Sequence, residues 1–406
     1  MTGQKIKKIS NAGDQLFLIG CLLMAVLIPL HKIATTIALT LILLGTIIGS
    51  KRKLSNIPCR YLYLLAIVFI MYIILIPGYF VSEFKVYAID DMRIKLPLLL
   101  LPLCFCIKQE LPQKSIEKIF TTYIASCTII SAFVLAIFTY NLAANSTLAM
   151  NQELLWFTIH HPTYLSVYIV FGAYWLLNNK FNSIFRKRWY LLLSIIFLFS
   201  ISIILLSSRL GIILLFLVFV GIVLNYFKGV KKMILLLGIS FVLFLIVWKV
   251  DFINERFDKM IKSFTMPATA VKTYEIDDRA MIWKNSIALI KEKPWTGYGT
   301  GDYKEVHLRL KHDLSGFGKG YRLHYNAHNQ FLENWLATGI SGFIILLLFY
   351  VFNFFIAIKK ENKTLVFFML MALVFSLIES ILQSQSGNMF LGFFTVLLYN
   401  KYFFSK

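Results

Sequence analysis

Continuous apolar runs about twenty residues long recur from one end of this chain to the other, separated by short polar gaps, and few folds accommodate that pattern. Across a bilayer, only helices and closed barrels can satisfy their own backbone hydrogen bonds. Barrel strands alternate apolar and polar residues, whereas these runs are apolar throughout. Of the 406 residues 58% are hydrophobic and 15% charged, too few charges for a soluble domain of this length. The pattern predicts an all-α polytopic membrane protein. Spans are expected near 15–31, 33–50, 61–80, 95–108, 116–140, 161–178, 189–206, 210–227, 233–250, 330–357, 364–381 and 387–403, so about 12 transmembrane helices with both termini cytoplasmic. The segment 95–108 is short and contains Pro97 and Pro102, so a broken or re-entrant helix is expected there.

The formal net charge is +21, and its placement is more informative than its size. Basic residues gather in every second gap: Lys51, Arg52, Lys53 and Arg60; Lys180, Arg186, Lys187 and Arg188; Lys228, Lys231 and Lys232; Lys359, Lys360 and Lys363. That positive-inside pattern puts those gaps on the cytoplasmic side. No continuous basic face remains for a nucleic-acid partner. Cys21, Cys59, Cys104, Cys106 and Cys127 fall in spans or a cytoplasmic gap, so neither a disulfide nor a zinc site is expected in the outer loops. Lys5, Lys7 and Lys8 precede the first apolar run, but no small-residue cleavage site follows, which points to an uncleaved first helix.

The outward gaps are then 31–32, 81–94, 141–160, 207–209, 251–329 and 382–386. The organisation reads as an N-terminal transmembrane bundle over 1–250, a large extracytoplasmic loop over 251–329, and C-terminal transmembrane helices over 330–406. The loop carries Trp283, Trp295 and several tyrosines, so it is expected to fold. A helix starting near Asp277 or Asp278 should end at Lys293, before Pro294, with Ile282, Trp283, Ile287 and Ile290 on its apolar side.

Candidate chemistry lies at the outer boundary. Arg209, in Ser207-Ser208-Arg209-Leu210-Gly211, occupies a very tight gap between two apolar spans, where it either snorkels to headgroups or serves a function. Arg279 opens the loop helix, and by spacing alone a surface salt bridge to a neighbouring Asp is the simpler reading. Pro294-Trp295-Thr296-Gly297-Tyr298-Gly299-Thr300-Gly301 is a tight turn whose alternating glycines would also let N–H groups approach an anion. The four-residue spacing of His324 and His328 would put both on one helical face. A metal site needs further ligands that are not nearby, whereas a neutral imidazole suits general-base chemistry; an interfacial histidine bonded to a carbonyl is the plain alternative. His160-His161-Pro162-Thr163-Tyr164 opens the sixth span from the same side. Lys85, Asp90, Asp91 and Arg93 precede the fourth, and Glu379, Gln383 and Gln385 end the eleventh. Each alone reads as a helix-end residue; together they offer polar and basic groups to an anionic headgroup substrate. No Asp-X-Asp and no phosphate-binding P-loop occurs, which argues against metal-dependent transfer from a sugar nucleotide and against an ATP-driven pump.

Ser208-Arg209 at a helix junction, Arg279 with Trp283, Pro294-Trp295-Thr296-Gly297-Tyr298-Gly299, and His328-Asn329 with Leu332 and Gly339 follow one another in this order. In that order and topology the chain resembles the O-antigen ligase and polymerase superfamily of bacterial envelope enzymes, with the motifs running from about 190 to 345. The resemblance implies a metal-independent transferase, without cofactor, in the bacterial plasma membrane. Its donor would be a glycan on undecaprenyl diphosphate and its acceptor a hydroxyl on the outer face. Carried over, His328 matches the family's proposed catalytic histidine, and Arg209 and Arg279 its essential arginines. Arg93, His161, Tyr164, Tyr298, Gly299, His324 and Asn329 are expected to contribute to diphosphate or glycan binding. The acceptor distinguishes an O-antigen ligase acting on lipid A-core from a glycan polymerase and from a protein O-oligosaccharyltransferase. A lipid-linked oligosaccharide flippase is the alternative without catalysis; such transporters place ionisable groups at the midplane.

Overall fold

The structure is a computed structural model. It describes residues 2–49, 68–108, 111–143, 160–178, 189–249, 258, 261–262, 278–303 and 326–403. Among the described residues there are fourteen α-helices: α1 (Thr2–Leu30), α2 (Thr35–Gly49), α3 (Leu75–Val81), α4 (Lys85–Lys108), α5 (Gln113–Ala143), α6 (Pro162–Asn178), α7 (Trp189–Leu205), α8 (Arg209–Tyr226), α9 (Gly229–Lys249), α10 (Asp278–Glu292), α11 (Gln330–Thr338), α12 (Ile340–Lys359), α13 (Lys363–Ile378) and α14 (Gln385–Phe403).

A bilayer is the environment these helices require. On α12 the buried residues Gly342, Leu346, Phe349, Tyr350, Asn353 and Ala357 form one stripe. The opposite stripe, Ile344, Leu347, Leu348, Val351, Phe355 and Ile358, is equally apolar and exposed. In water that outer stripe would be polar; here lipid covers it. Among the described residues, Ala12–Leu30, Gln113–Ala143 and Ile340–Lys359 are long and apolar enough to span, and Thr35–Gly49, Val68–Val81, Trp189–Leu205, Arg209–Leu224 and Lys363–Ile378 are shorter apolar helices. The chain is therefore a helical membrane protein, in which three helices among the described residues meet the length and composition of a span.

Internal contacts divide the chain into two compact units. The first comprises Met1–Cys21, Thr35–Ile116 and Asp278–Lys406. At its centre α14 packs along α4, burying Phe390, Phe393 and Phe394 completely. The expected break at Pro97 and Pro102 does not occur: α4 runs unbroken from Lys85 to Lys108 with both prolines inside. Pro97 leaves the Arg93 carbonyl without its helical donor. A polar group from the neighbouring helix enters at that level, Asn388 Nδ2 donating to the Ile94 carbonyl at 3.0 Å. Helices α1 and α2 approach through glycines; a Cβ on Gly13 would lie 2.3 Å from Gly49 N, the close backbone contact that small residues permit in membranes.

The single span expected over 330–357 is two helices, α11 and α12, divided at Gly339, which has φ 69°. The reason lies in the Pro294–Gly301 turn. The Pro294 carbonyl accepts from Ile340 N at 3.0 Å and from Trp335 Nε1 at 2.9 Å. A Cβ at Gly339 would lie 2.1 Å from the Trp295 carbonyl oxygen. Only a glycine admits both the positive φ and that approach.

In the second unit, Leu22–Ala34 and Glu117–Asp277, α6 packs against α7 and α8. Tyr123 Oη donates to the Tyr168 carbonyl at 2.8 Å, in the buried middle of α6.

Candidate active site

The loop helix α10 begins at Asp278, as its sequence predicts, and turns Leu289 and Ile290 into a small core with Tyr303, Ala327, Leu336 and Ala337. Ile287, expected on that apolar side, is exposed. This core joins the last turns of α10 to Tyr303, to α11 and to the loop entering it. Arg279 stands on the first turn of α10 and His328 two residues before α11. They meet through Glu379, the C-cap residue of α13.

Arg279 Nη2 donates to Glu379 Oε1, and His328 Nδ1 lies 2.8 Å from Glu379 Oε2. One carboxylate thus serves a guanidinium and an imidazole. The side chains are 23%, 32% and 6% exposed for Arg279, His328 and Glu379, so the two basic groups face outward and the acid lies behind them. With Glu379 ionised, Nδ1 carries the proton and donates it, leaving the Nε2 lone pair free to accept another. A guanidinium is a planar fork of N–H donors, a geometry suited to carboxylate and phosphate oxygens. This buried carboxylate is a partner of Arg279; the side chains of the neighbouring aspartates lie outside the described residues.

His328 has φ 44°, a left-handed conformation costly for a side chain with a Cβ and commonest at functional sites. It lies outside the helix, so the shared helical face expected for His324 and His328 does not form, and His324 itself falls outside the described residues. The helix starts after it because Asn329 is the N-cap: its Oδ1 accepts from Phe331 N at 2.9 Å and Leu332 N at 3.2 Å. Its Nδ2 donates to the Leu377 carbonyl at 3.1 Å, tying the loop to the end of α13.

The glycine-rich turn supports this arrangement from below. Tyr298 N and Gly299 N donate to the carbonyls of Leu336 and Ala337 at 2.8 and 3.1 Å, so these two N–H groups hold α11 and do not face an anion. Tyr298 Oη donates to Glu292 Oε2 at 2.8 Å; burial and that carboxylate push its pKa upward. Gly301 N donates to Ser82 Oγ at 2.9 Å. Asp302 accepts from Glu83 N and Phe84 N at 2.8 and 2.9 Å, capping the start of α4.

Of the remaining predicted residues in this unit, Arg93 is highly exposed and pairs with Asp90 at 3.0 Å. Its neighbours on α4 are less ordinary: Asp91 and Lys95 form an ion pair at 2.5 Å, both almost completely buried. The Tyr303 hydroxyl lies against Asp91 and Glu333, and burial first, then those two carboxylates, hold its pKa well above the usual phenol range.

The second unit carries its own candidates. Arg209 is the first residue of α8, half-buried, behind the N-cap Ser208, whose Oγ accepts from Gly211 N at 3.1 Å and from Ser166 Oγ at 2.9 Å. The chain reaches it through Ser207 at φ 52°. This reversal needs no longer loop because Gly211 lets α8 close on α6; a Cβ there would lie 2.6 Å from Ser166 Cβ. His161 is exposed and accepts from Thr163 N through Nδ1 at 3.3 Å, capping α6, with Tyr164 half-buried on its first turn. His160 is buried edge-on to Tyr168. Burial first, then Lys32 and His31, push its pKa down to about 3.

Glu379, which the sequence offers only as a helix-end residue, is the side chain that joins Arg279 to His328. The available signal was an acid at the end of an apolar helix on the same membrane face as Arg279 and His328. Among the described residues no cluster of three or more His, Cys, Asp or Glu side chains is arranged to hold a metal.

An uncharacterized protein of Haemophilus influenzae is 35% identical over 82 residues, a stretch that covers 20% of this chain and 20% of that relative. Residues 192–347 match the family described as O-Antigen ligase, a domain shared by O-antigen ligases and polymerases. That stretch includes Arg209, Arg279, the Pro294–Gly301 turn and His328. Over residues 192–347, this helical membrane protein carries a domain of the O-antigen ligase family.

Proposed function

We propose that the protein is a membrane glycosyltransferase that moves a glycan from undecaprenyl diphosphate to an acceptor hydroxyl on the outer face of the bacterial plasma membrane, with both termini cytoplasmic. The observation that carries this reading is the sharing of Glu379 by Arg279 and His328. It places an imidazole whose Nδ1 faces a carboxylate beside a guanidinium bound to the same carboxylate.

In this mechanism His328 Nε2 takes the proton of the acceptor hydroxyl as the acceptor oxygen bonds to the anomeric carbon. The bond from that carbon to the diphosphate oxygen breaks, and its electron pair leaves with undecaprenyl diphosphate. Arg279 compensates the charge growing on the phosphate, for which a planar guanidinium fork is suited. Glu379 holds the imidazole in its productive tautomer and stabilises the imidazolium as it forms. Arg209, at the tight α7–α8 junction, is proposed as a further phosphate-binding cation, to be tested separately. Tyr164 and His161 at the start of α6 are proposed to contact the glycan or diphosphate. Attack opposite the leaving diphosphate inverts the anomeric centre, and no metal is needed.

We favour lipid A-core as acceptor, making the protein an O-antigen ligase. The test is to incubate the purified protein with an undecaprenyl-diphosphate glycan, EDTA, and lipid A-core, a second lipid-linked glycan or a peptide. Transfer to lipid A-core with inverted linkage is expected. Transfer to a second glycan or to peptide would reassign the acceptor to the polymerase or protein-glycosylating type. Lipid-linked glycan flipping in liposomes with no transfer to any acceptor would replace the transferase with a transporter.

A further inference from the structure

Behind the His328–Glu379 pair lies a second carboxylate that the mechanism does not use. Glu333, on the first turn of α11, is 1% exposed. Its Oε2 accepts from Ala327 N at 2.5 Å and from Ser380 Oγ at 3.2 Å. These are the residues immediately before His328 and immediately after Glu379. One buried oxygen atom therefore ties together the two backbone segments that carry the base and its carboxylate partner. The carboxylate also lies against the Tyr303 hydroxyl, which faces Asp91 of the Asp91–Lys95 ion pair.

We infer that Glu333 is a positioning residue for the proposed reaction: it sets the His328–Glu379 distance by bridging Ala327 and Ser380, and so holds His328 in the Nδ1–H tautomer. The left-handed backbone at His328 supports this assignment. A strained residue returns to an ordinary conformation unless neighbouring bonds hold it, and the Ala327–Glu333 bond acts on the adjacent peptide. The other charged groups facing this locus are Arg279 through Glu379, and Asp91 and Lys95 through Tyr303. None of these bonds to both segments through one atom.

The inference rests on the function proposed above, but its primary readout does not need activity. Full-length protein labelled with 15N at histidine is reconstituted in nanodiscs, the His328 ring signals being identified by their loss in His328→Ala. Ring nitrogen shifts report which nitrogen carries the proton. Wild type is expected to show a single Nδ1–H tautomer. Glu333→Met, close in shape but without an acceptor, is expected to show mixed tautomers and a kcat at least about tenfold lower, with KM for the donor lipid within about twofold. Glu333→Gln, whose one carbonyl oxygen can still accept from Ala327 and Ser380, is expected to restore most of both. Where Glu333→Met does not fold, Ser380→Ala removes one bond alone and is expected to broaden the same ring signals.

An unchanged His328 signature in folded Glu333→Met, or in Ser380→Ala where that variant substitutes for it, would overturn the positioning role. Equal loss of kcat in Met and Gln variants with wild-type ring signals would do the same. Absence of transfer by wild type, with the tautomer still dependent on Glu333, would remove the proposed function and leave the positioning role standing.

Discussion

His328 Nδ1 and Glu379 Oε2 are 2.8 Å apart, although the two residues are separated by 51 positions and lie on different elements. The same carboxylate binds Arg279 through its other oxygen. Replacing Glu379 should therefore affect catalysis more than donor binding. Glu379→Ala is expected to lower kcat by about 10²-fold or more, with KM for the donor changed little. Glu379→Gln, which can still accept from Nδ1–H but leaves Arg279 without its anionic partner, should fall between. Initial transfer rates across donor concentrations measure the split.

Gly339→Ala tests the joint between α11 and α12. The new Cβ would sit 2.1 Å from the Trp295 carbonyl oxygen on a residue with φ 69°. The strain should cost about 1–3 kcal/mol and lower the thermal midpoint in detergent by several degrees. Gly221→Ala is the control, because nothing lies within 4 Å of its added carbon.

The buried pair Asp91–Lys95 predicts a strong asymmetry between single and double variants. Lys95→Met leaves a buried carboxylate without its cation and is expected to cost about 3–5 kcal/mol. Asp91→Asn with Lys95→Met removes both charges and should recover most of that loss. Folded yield and thermal midpoint of the three proteins decide it.

His160 makes the stability of the second unit pH-dependent. Its folded pKa is pushed down to about 3, below the ordinary histidine value of about 6.5. Between those values the unfolded chain binds a proton that the folded chain refuses, so stability rises with pH. The contribution is complete above the unfolded value and is lost as pH falls towards 3, by at most about 1.4 kcal/mol per pH unit. The thermal midpoint of wild type should fall between pH 7 and 5, and His160→Gln should reduce that fall.

Most helices were legible because lipid leaves one strong signal: uninterrupted apolar runs. The segments expected over 161–178, 189–206, 210–227 and 364–381 coincide with α6, α7, α8 and α13 to within three residues. The start of α10 at Asp278 and its stop before Pro294 were likewise local matters of capping and of a residue that cannot continue a helix. What hydropathy could not convey was where tertiary contacts override it. Pro97 reads as a break only until Asn388 is known to bond at the same level of α4. Gly339 reads as one glycine in an apolar run until the Trp295 carbonyl is found against it.

The site divides in the same way. Arg279 and His328 stood out as charges at the outer boundary, and family resemblance assigned them their roles. Glu379 was visible as an acid at a helix end, but its pairing depends on bringing α10, α11 and α13 together. Glu333 looked like any first-turn acid of a helix. Its importance rests on Ala327 and Ser380 sharing one oxygen, which no local pattern encodes.

The most direct test of the central claim is the rate of glycan transfer from undecaprenyl diphosphate by wild type and by His328→Ala, side by side, in EDTA and at saturating donor. A base of this kind contributes about 10²- to 10⁴-fold, so the variant is expected to lose at least about 10²-fold while remaining folded and binding donor. Transfer by His328→Ala at the wild-type rate would contradict the assignment of His328 as the base and, with it, the proposed mechanism.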